Sequence, residues 1–142
     1  MRESTRAHLL HVALLLLRLG AGGMLLGAHG WPKVMAFGTR AGSFADPLGV
    51  GSAASLSLVV FAEVVCAGLV MLGLLTRAAA LTVVLMMCVA VFVQHAGDPW
   101  SSKELPLLYL LAFSTFVLSG AGRWSADHLL RLPARAPLRW MA

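Results

Sequence analysis

The stretch His8–Trp31, HLLHVALLLLRLGAGGMLLGAHGW, decides the fold. It is long enough to cross the hydrocarbon core of a bilayer, which takes about 20 helical residues. Arg18 sits in its middle. An arginine at the centre of a lipid-facing helix costs about 2.5–3.5 kcal/mol. This helix is therefore expected to pack against others, with Arg18 turned inward onto a partner. The second apolar run offers one, Glu63, near its own middle. Antiparallel packing of the two runs would set Arg18 and Glu63 at similar depth. Arg18, Gly22, Leu25 and His29 recur at i, i+4, i+7 and i+11 and share one helical face. Gly20, Gly22, Gly23 and Gly27 are small residues of the kind that let membrane helices approach closely.

The composition agrees. The chain has 142 residues, 59% hydrophobic and 12% charged, with mean hydropathy +0.84. Soluble domains carry about 25% charged residues. The net charge of +5 does not indicate nucleic-acid binding, because the charges sit at the ends of apolar runs rather than in one stripe. Cys66 and Cys88 form neither a CxxC nor a zinc spacing and report no redox compartment. The first run is read as a retained helix. It is too long for a signal peptide, Arg18 interrupts it, and a small-residue cleavage site is missing.

Four helices are expected, at about 8–30, 50–74, 78–95 and 104–120, making one integral-membrane, all-α four-helix bundle. Trp31-Pro32-Lys33 should end the first, since a residue before proline avoids helix. Gly38, Gly42 and Asp46-Pro47 punctuate a connector, GLLTR (73–77) a tight turn, and GDPWSS (97–102) a loop. Gly120-Ala121-Gly122 stops the fourth helix. A basic tail, 123–142, follows, with a short interfacial helix around Ser125–Leu132. The N-terminal tail, the Arg77 turn and the C-terminal tail hold Arg2, Arg6, Arg77, Arg123, Arg131, Arg135 and Arg139. The opposite loops hold Lys33, Arg40 and Lys103. The positive-inside rule then places both termini in the cytoplasm, and Trp31, Trp100, Trp124 and Trp140 fall at interface levels.

Three constellations can carry chemistry. Arg18 with Glu63 is either a buried structural ion pair or the lining of a polar pocket with Glu63 as proton carrier. His29, Lys33, His95 and Glu104, with Asp98 nearby, come from three helix ends on the outer side. They read as a proton-exchanging pocket for a lipophilic substrate, or as headgroup-level residues each solvated alone. No HxxxH-like local pair points to a metal, so none is expected. Cys66 and Cys88 lie equally far from Arg77, which suggests matched depth on a helical hairpin. A dithiol there could pass electrons, although buried cysteine is commonly a small apolar residue. His8 and His11 have no partner histidine at a matching depth for a haem, and His128 reads as a tail residue. Tyr109 lies off the Glu104 face, suited to packing or to a hydrogen bond inside the bundle.

The ordered set Arg18-Leu19-Gly20, His29-Gly30-Trp31-Pro32-Lys33, Glu63, Leu72-Gly73-Leu74-Leu75-Thr76-Arg77, Glu104 and Gly120 to Asp127 resembles the DoxX family of small four-helix membrane proteins. The likeness runs from about Leu14 to Leu129. Relatives include a subunit of a thiosulfate:quinone oxidoreductase and a membrane component of a bacterial redox-defence complex. The resemblance implies a bacterial inner-membrane protein with family polar positions at Arg18, Lys33, Glu63, Arg77 and Glu104. The leading expectation is a quinone-linked component of a membrane oxidoreductase or redox-defence complex. Its pocket would be formed by Arg18, His29, Lys33, Glu63, His95 and Glu104, with Glu63 or His29 giving the proton. No haem, flavin or iron–sulfur signature is visible in the sequence, so electrons would come from a partner, such as a soluble redox protein, or from a cofactor. Lipid and a second copy of the chain are the other expected partners. A non-enzymatic membrane scaffold or assembly protein is the alternative, with a small transporter or lipid-binding protein as a third reading.

Overall fold

The computed structural model describes residues 3–129. Arg2, the tail residues Arg131, Arg135, Arg139 and Trp140, and the far part of the expected 125–132 helix lie outside the described residues. Among the described residues every regular element is helical. The first long rod is α1 (Glu3–Met24), a wide π-helical turn (Leu25–Gly30) and α2 (Trp31–Met35). The short α3 (Phe37–Arg40) follows. The second rod is α4 (Ser52–Val60), a π-helical turn (Phe61–Cys66) and α5 (Ala67–Leu72). The third is α6 (Thr76–Val89) with a π-helical end (Ala90–Gln94). The fourth is α7 (Trp100–Ser119), followed by the single turn α8 (Ala126–Leu129).

The first rod differs from expectation at both ends. It begins by Glu3 rather than His8, and it runs through Trp31-Pro32 to Met35. Pro32 has no N–H to give. It stands in the first turn of α2, just after a wide turn where the backbone ladder re-registers, so its missing donor interrupts nothing further.

The three segments Thr5–Met35, Ser52–Leu72 and Thr76–Gln94 are long and apolar enough to cross a membrane. Their outward side chains, among them Leu16, Met24, Leu58, Leu85 and Phe92, stay exposed. Helices that are apolar on all sides belong in a membrane. The fourth rod starts at Trp100, ahead of the expected 104, and carries Lys103 and Glu104 in its first turns. From Leu105 to Ser119 its apolar part covers about 22 Å at 1.5 Å per residue.

The core lies where the four rods meet. Phe113, Phe116, Leu25, Val70 and Val83 are almost fully buried there, and Phe113 and Phe116 meet edge to face at 5.8 Å. The hairpin joining rods two and three closes as the GLLTR reading expects. Gly73 takes φ 71°, its N–H bonds the Val70 carbonyl at 3.0 Å, and the Leu74 N–H reaches the Leu69 carbonyl at 2.9 Å. These are the two bonds of a Schellman stop.

Close approach of the first two rods depends on two glycines. A Cβ on Gly22 would stand 2.5 Å from Met71 Cγ and 3.2 Å from the Ala67 carbonyl oxygen. One on Gly30 would stand 2.9 Å from the Glu63 carbonyl oxygen. Gly20 and Gly27, expected at the same interface, have open space around them, and Gly23 touches only the end of Met71. The register between the rods follows. Gly30 lies level with Glu63, and Gly22 lies between Ala67 and Met71.

Candidate functional site

Two polar centres are drawn into the bundle. The first is a cavity of about 520 Å³ at the end of the bundle where the three π-helical turns lie. One wide turn contributes His29, the second Glu63, and the third leads into His95. Such turns displace side chains from the ordinary helical stripe, and they recur at functional sites. Lys33 Nζ donates to Glu63 Oε2 at 2.7 Å and to the His29 carbonyl at 3.2 Å. The Glu63 side chain is 8% exposed and that of Lys33 19%, so the pair is largely withdrawn from solvent. The His29 ring stands edge-on to Tyr109 with centroids 5.7 Å apart. Around these groups the wall is apolar, with Leu25, Ala62, Met86, Met87 and Val89. It opens among Leu48, Leu58, Phe61 and Leu85, which are themselves exposed.

His95 lines the cavity, and its Nδ1 pairs with Asp98 Oδ2 at 2.6 Å. Glu104 is exposed and does not line the cavity, so it stands apart from His29, Lys33, Glu63 and His95. The α7 residues that reach the cavity are Leu105, Pro106 and Tyr109.

The connector supplies the remaining wall through Phe44, Ala45, Pro47 and Leu48. Asp46 holds it in place by accepting from Ser55 Oγ at 2.7 Å, the Gly51 N–H at 2.7 Å and the Val50 N–H at 3.0 Å. The Ser55 hydroxyl first, and then the Gly51 amide, hold the Asp46 carboxyl below its ordinary value of 3.8. A carboxyl lowered in the folded state lends stability that is present above the unfolded value and fades as pH falls through the folded one. Thermal melts of Asp46→Asn should therefore lack an acid-dependent loss that the parent shows below about pH 4. Parallel curves for the two proteins down to about pH 2.5 would reject this role for Asp46.

The second polar centre is built around Arg18, and it corrects the expected pairing with Glu63. Arg18 is 2% exposed; its Nη1 donates to the Ala121 carbonyl at 2.9 Å and its Nη2 to the Trp124 carbonyl at 2.6 Å. The Asp127 carboxylate adds electrostatic attraction. Asp127 also grips the hairpin turn from both sides. Its N–H bonds the Gly73 carbonyl at 3.0 Å, and its Oδ1 accepts the Leu75 N–H at 3.2 Å, holding Leu75 at φ 47°. The cause of the mispairing is register. Glu63 is level with Gly30, twelve residues beyond Arg18, or roughly 18 Å along a helix. Arg18 is level with Gly73, where the second rod ends. Glu63 pairs instead with Lys33, the residue directly after the proline expected to end the helix.

Cys66 and Cys88 are free thiols, and the hairpin does not set them at matched depth. The turn centres on Leu74 rather than Arg77, so Cys66 sits beside Thr82. Cys88 lies six residues further along the third rod, about 9 Å. Cys66 is buried in the core. Among the described residues no three His, Cys, Asp or Glu side chains stand together as a metal-binding group. His8 and His11 lie at the opposite end of the bundle from the cavity, against Trp124 and Arg123.

This is a helical membrane protein whose apolar cavity surrounds a withdrawn lysine–glutamate pair. The chain belongs to the DoxX family, whose model matches residues 13–96, more than half of its length. The matched span holds Arg18, the Lys33–Glu63 pair, the GLLTR turn and His95, and it ends before α7. No curated protein and no solved structure matches the chain.

Proposed function

We propose that the cavity binds the headgroup of a lipophilic quinone, and that the chain acts as the quinone-linked membrane component of an oxidoreductase or redox-defence complex. The observation that carries this reading is the Lys33–Glu63 pair, 2.7 Å apart, set in an apolar cavity that opens among exposed apolar side chains. An apolar wall with a few convergent polar groups is the usual composition of a small-molecule site. A quinone, when bound, supplies two-electron, two-proton redox chemistry. The Lys33 ammonium is placed to donate to a carbonyl oxygen and to stabilise negative charge developing there. His29, Tyr109 and His95 are further proton-bearing groups on the same cavity. Glu63 is suited to carry a proton, exchanging it while Lys33 holds its orientation. Electrons come from a redox partner.

The same reading carries a topology. Arg6, Arg77 and Arg123 lie on the opposite side of the helices from Lys33, Arg40 and Lys103 along the chain order, which favours four crossings with both termini in the cytoplasm of a bacterial inner membrane.

The test is the melting temperature of the purified protein in detergent with a short-tailed quinone. A ligand that binds only the folded state stabilises it by mass action, about 2.7 kcal/mol at a hundredfold excess over Kd. A saturable rise is expected in the parent, and it should vanish in Glu63→Gln. No rise with either benzoquinones or naphthoquinones would overturn the quinone assignment and favour the scaffold alternative.

A further inference from the structure

At the end of the bundle away from the cavity, a second groove of about 550 Å³ runs between the start of α1 and the segment after α7. Its polar lining is His8, His11 and Arg123, and its apolar lining includes Leu15, Trp124 and Leu129. The Arg123 N–H reaches His11 Nδ1 at 3.4 Å. The His8 ring meets Trp124 edge to face at 6.0 Å. Trp124 is itself 54% exposed. Among the described residues no carboxylate lines the groove; the nearest along the chain, Asp127, is buried and turned onto Gly73 and Leu75.

We infer that this groove is a binding site for the phosphate of an anionic phospholipid. The Arg123 guanidinium suits a phosphate by bidentate hydrogen bonding. The His8 and His11 rings add nitrogens able to donate beside it. Leu15 and Leu129 give an acyl chain an apolar path, and Trp124 has the amphipathic ring that favours headgroup depth. The groove also sits where such a lipid is found. It flanks the level at which rods two and four end, at Leu72 and Ser119, and so the margin of the apolar bundle. Basic pockets at that margin bind lipid headgroups. The site is separate from the Lys33–Glu63 cavity and does not depend on the quinone reading.

The test is native mass spectrometry of the full chain released from detergent, titrated with phosphatidylglycerol or with phosphatidylcholine of the same acyl chains. The parent should bind one phosphatidylglycerol at least tenfold more tightly than phosphatidylcholine. Arg123→Gln with His8→Gln should abolish that preference, whereas Arg123→Lys should keep most of it. An unchanged helical circular-dichroism spectrum and melting temperature without added lipid checks that the variants fold. Equal binding of the two lipids by the parent, or an undiminished preference in the double variant, would overturn the site. Displacement of phosphatidylglycerol by millimolar inorganic phosphate would overturn the lipid as the ligand and leave a free-phosphate site.

Discussion

Replacing Gly73 by alanine is expected to be among the most destabilising single-methyl changes in this protein, although the residue lies in a turn. Two separate causes add. The backbone at Gly73 has φ 71°, a left-handed conformation that costs an alanine about 1–2 kcal/mol. The added Cβ would also run into the Arg18 guanidinium and Ser125 Cβ. The guanidinium cannot retreat without giving up the Ala121 or the Trp124 carbonyl, and a hydrogen bond from a charged group is worth about 1.5–3 kcal/mol. A loss of about 2.5–5 kcal/mol in all is therefore expected in equilibrium unfolding followed by far-ultraviolet circular dichroism. The two causes separate in a double-mutant cycle. With Arg18 already changed to methionine, Gly73→Ala should cost only its backbone part and the contact with Ser125 Cβ, leaving a coupling of more than about 1 kcal/mol. Strictly additive costs would mean that Gly73 is needed for its backbone alone and not as the space through which Arg18 reaches the α7 exit.

The second large effect concerns Lys33 and Glu63. Lys33→Met should destabilise the chain by about 3–5 kcal/mol, because it leaves the withdrawn Glu63 carboxylate without its cation. The double replacement Lys33→Met with Glu63→Leu should recover most of that loss, since a buried pair exchanged for apolar residues of similar volume is often near neutral. Stability and ligand binding should then part company. The double variant should fold as well as the parent yet show no rise in melting temperature with a short-tailed quinone. Arg18→Met should do the reverse, lowering the baseline melting temperature while keeping the quinone-dependent rise, because Arg18 does not line the cavity. A double variant that still responds to quinone would remove the Lys33–Glu63 pair from the site.

The two polar centres explain why motifs scattered along the chain look unrelated when read in order. Leu72 to Arg77 and Ala121 to Asp127 are the turn and the exit segment that Arg18 and Asp127 bind together. His29 to Lys33 and Glu63 form the wall of the cavity instead. The first set holds helix ends in place, and the second presents proton-bearing groups to an apolar space. Arg18 thus lies among the helix ends and not on the cavity, whereas Lys33, expected on the pocket, lines the cavity from a helix rather than from the connector.

Hydropathy, helix punctuation and the need to satisfy an isolated arginine are local properties, and they were enough for the all-helical class, the three apolar spans and the Gly73 stop. Arg18 does turn inward as its place in the run requires, but onto the Ala121 and Trp124 carbonyls rather than onto Glu63. Which partner each finds is a matter of register between rods, and register is not local. It is set where Gly22 and Gly30 let two backbones touch and where the turn closes on Leu74. The wide turn before Pro32 carries the first helix on to Lys33, and with it the cation that Glu63 meets. A hairpin centre displaced by three residues likewise sets Cys66 beside Thr82 and leaves Cys88 a further turn and a half away. Spacing along a chain cannot report such offsets, because a helix passes a shifted neighbour with the same hydrophobic pattern on both. Only the packing of small residues against backbone, decided in three dimensions, selects one alignment among them.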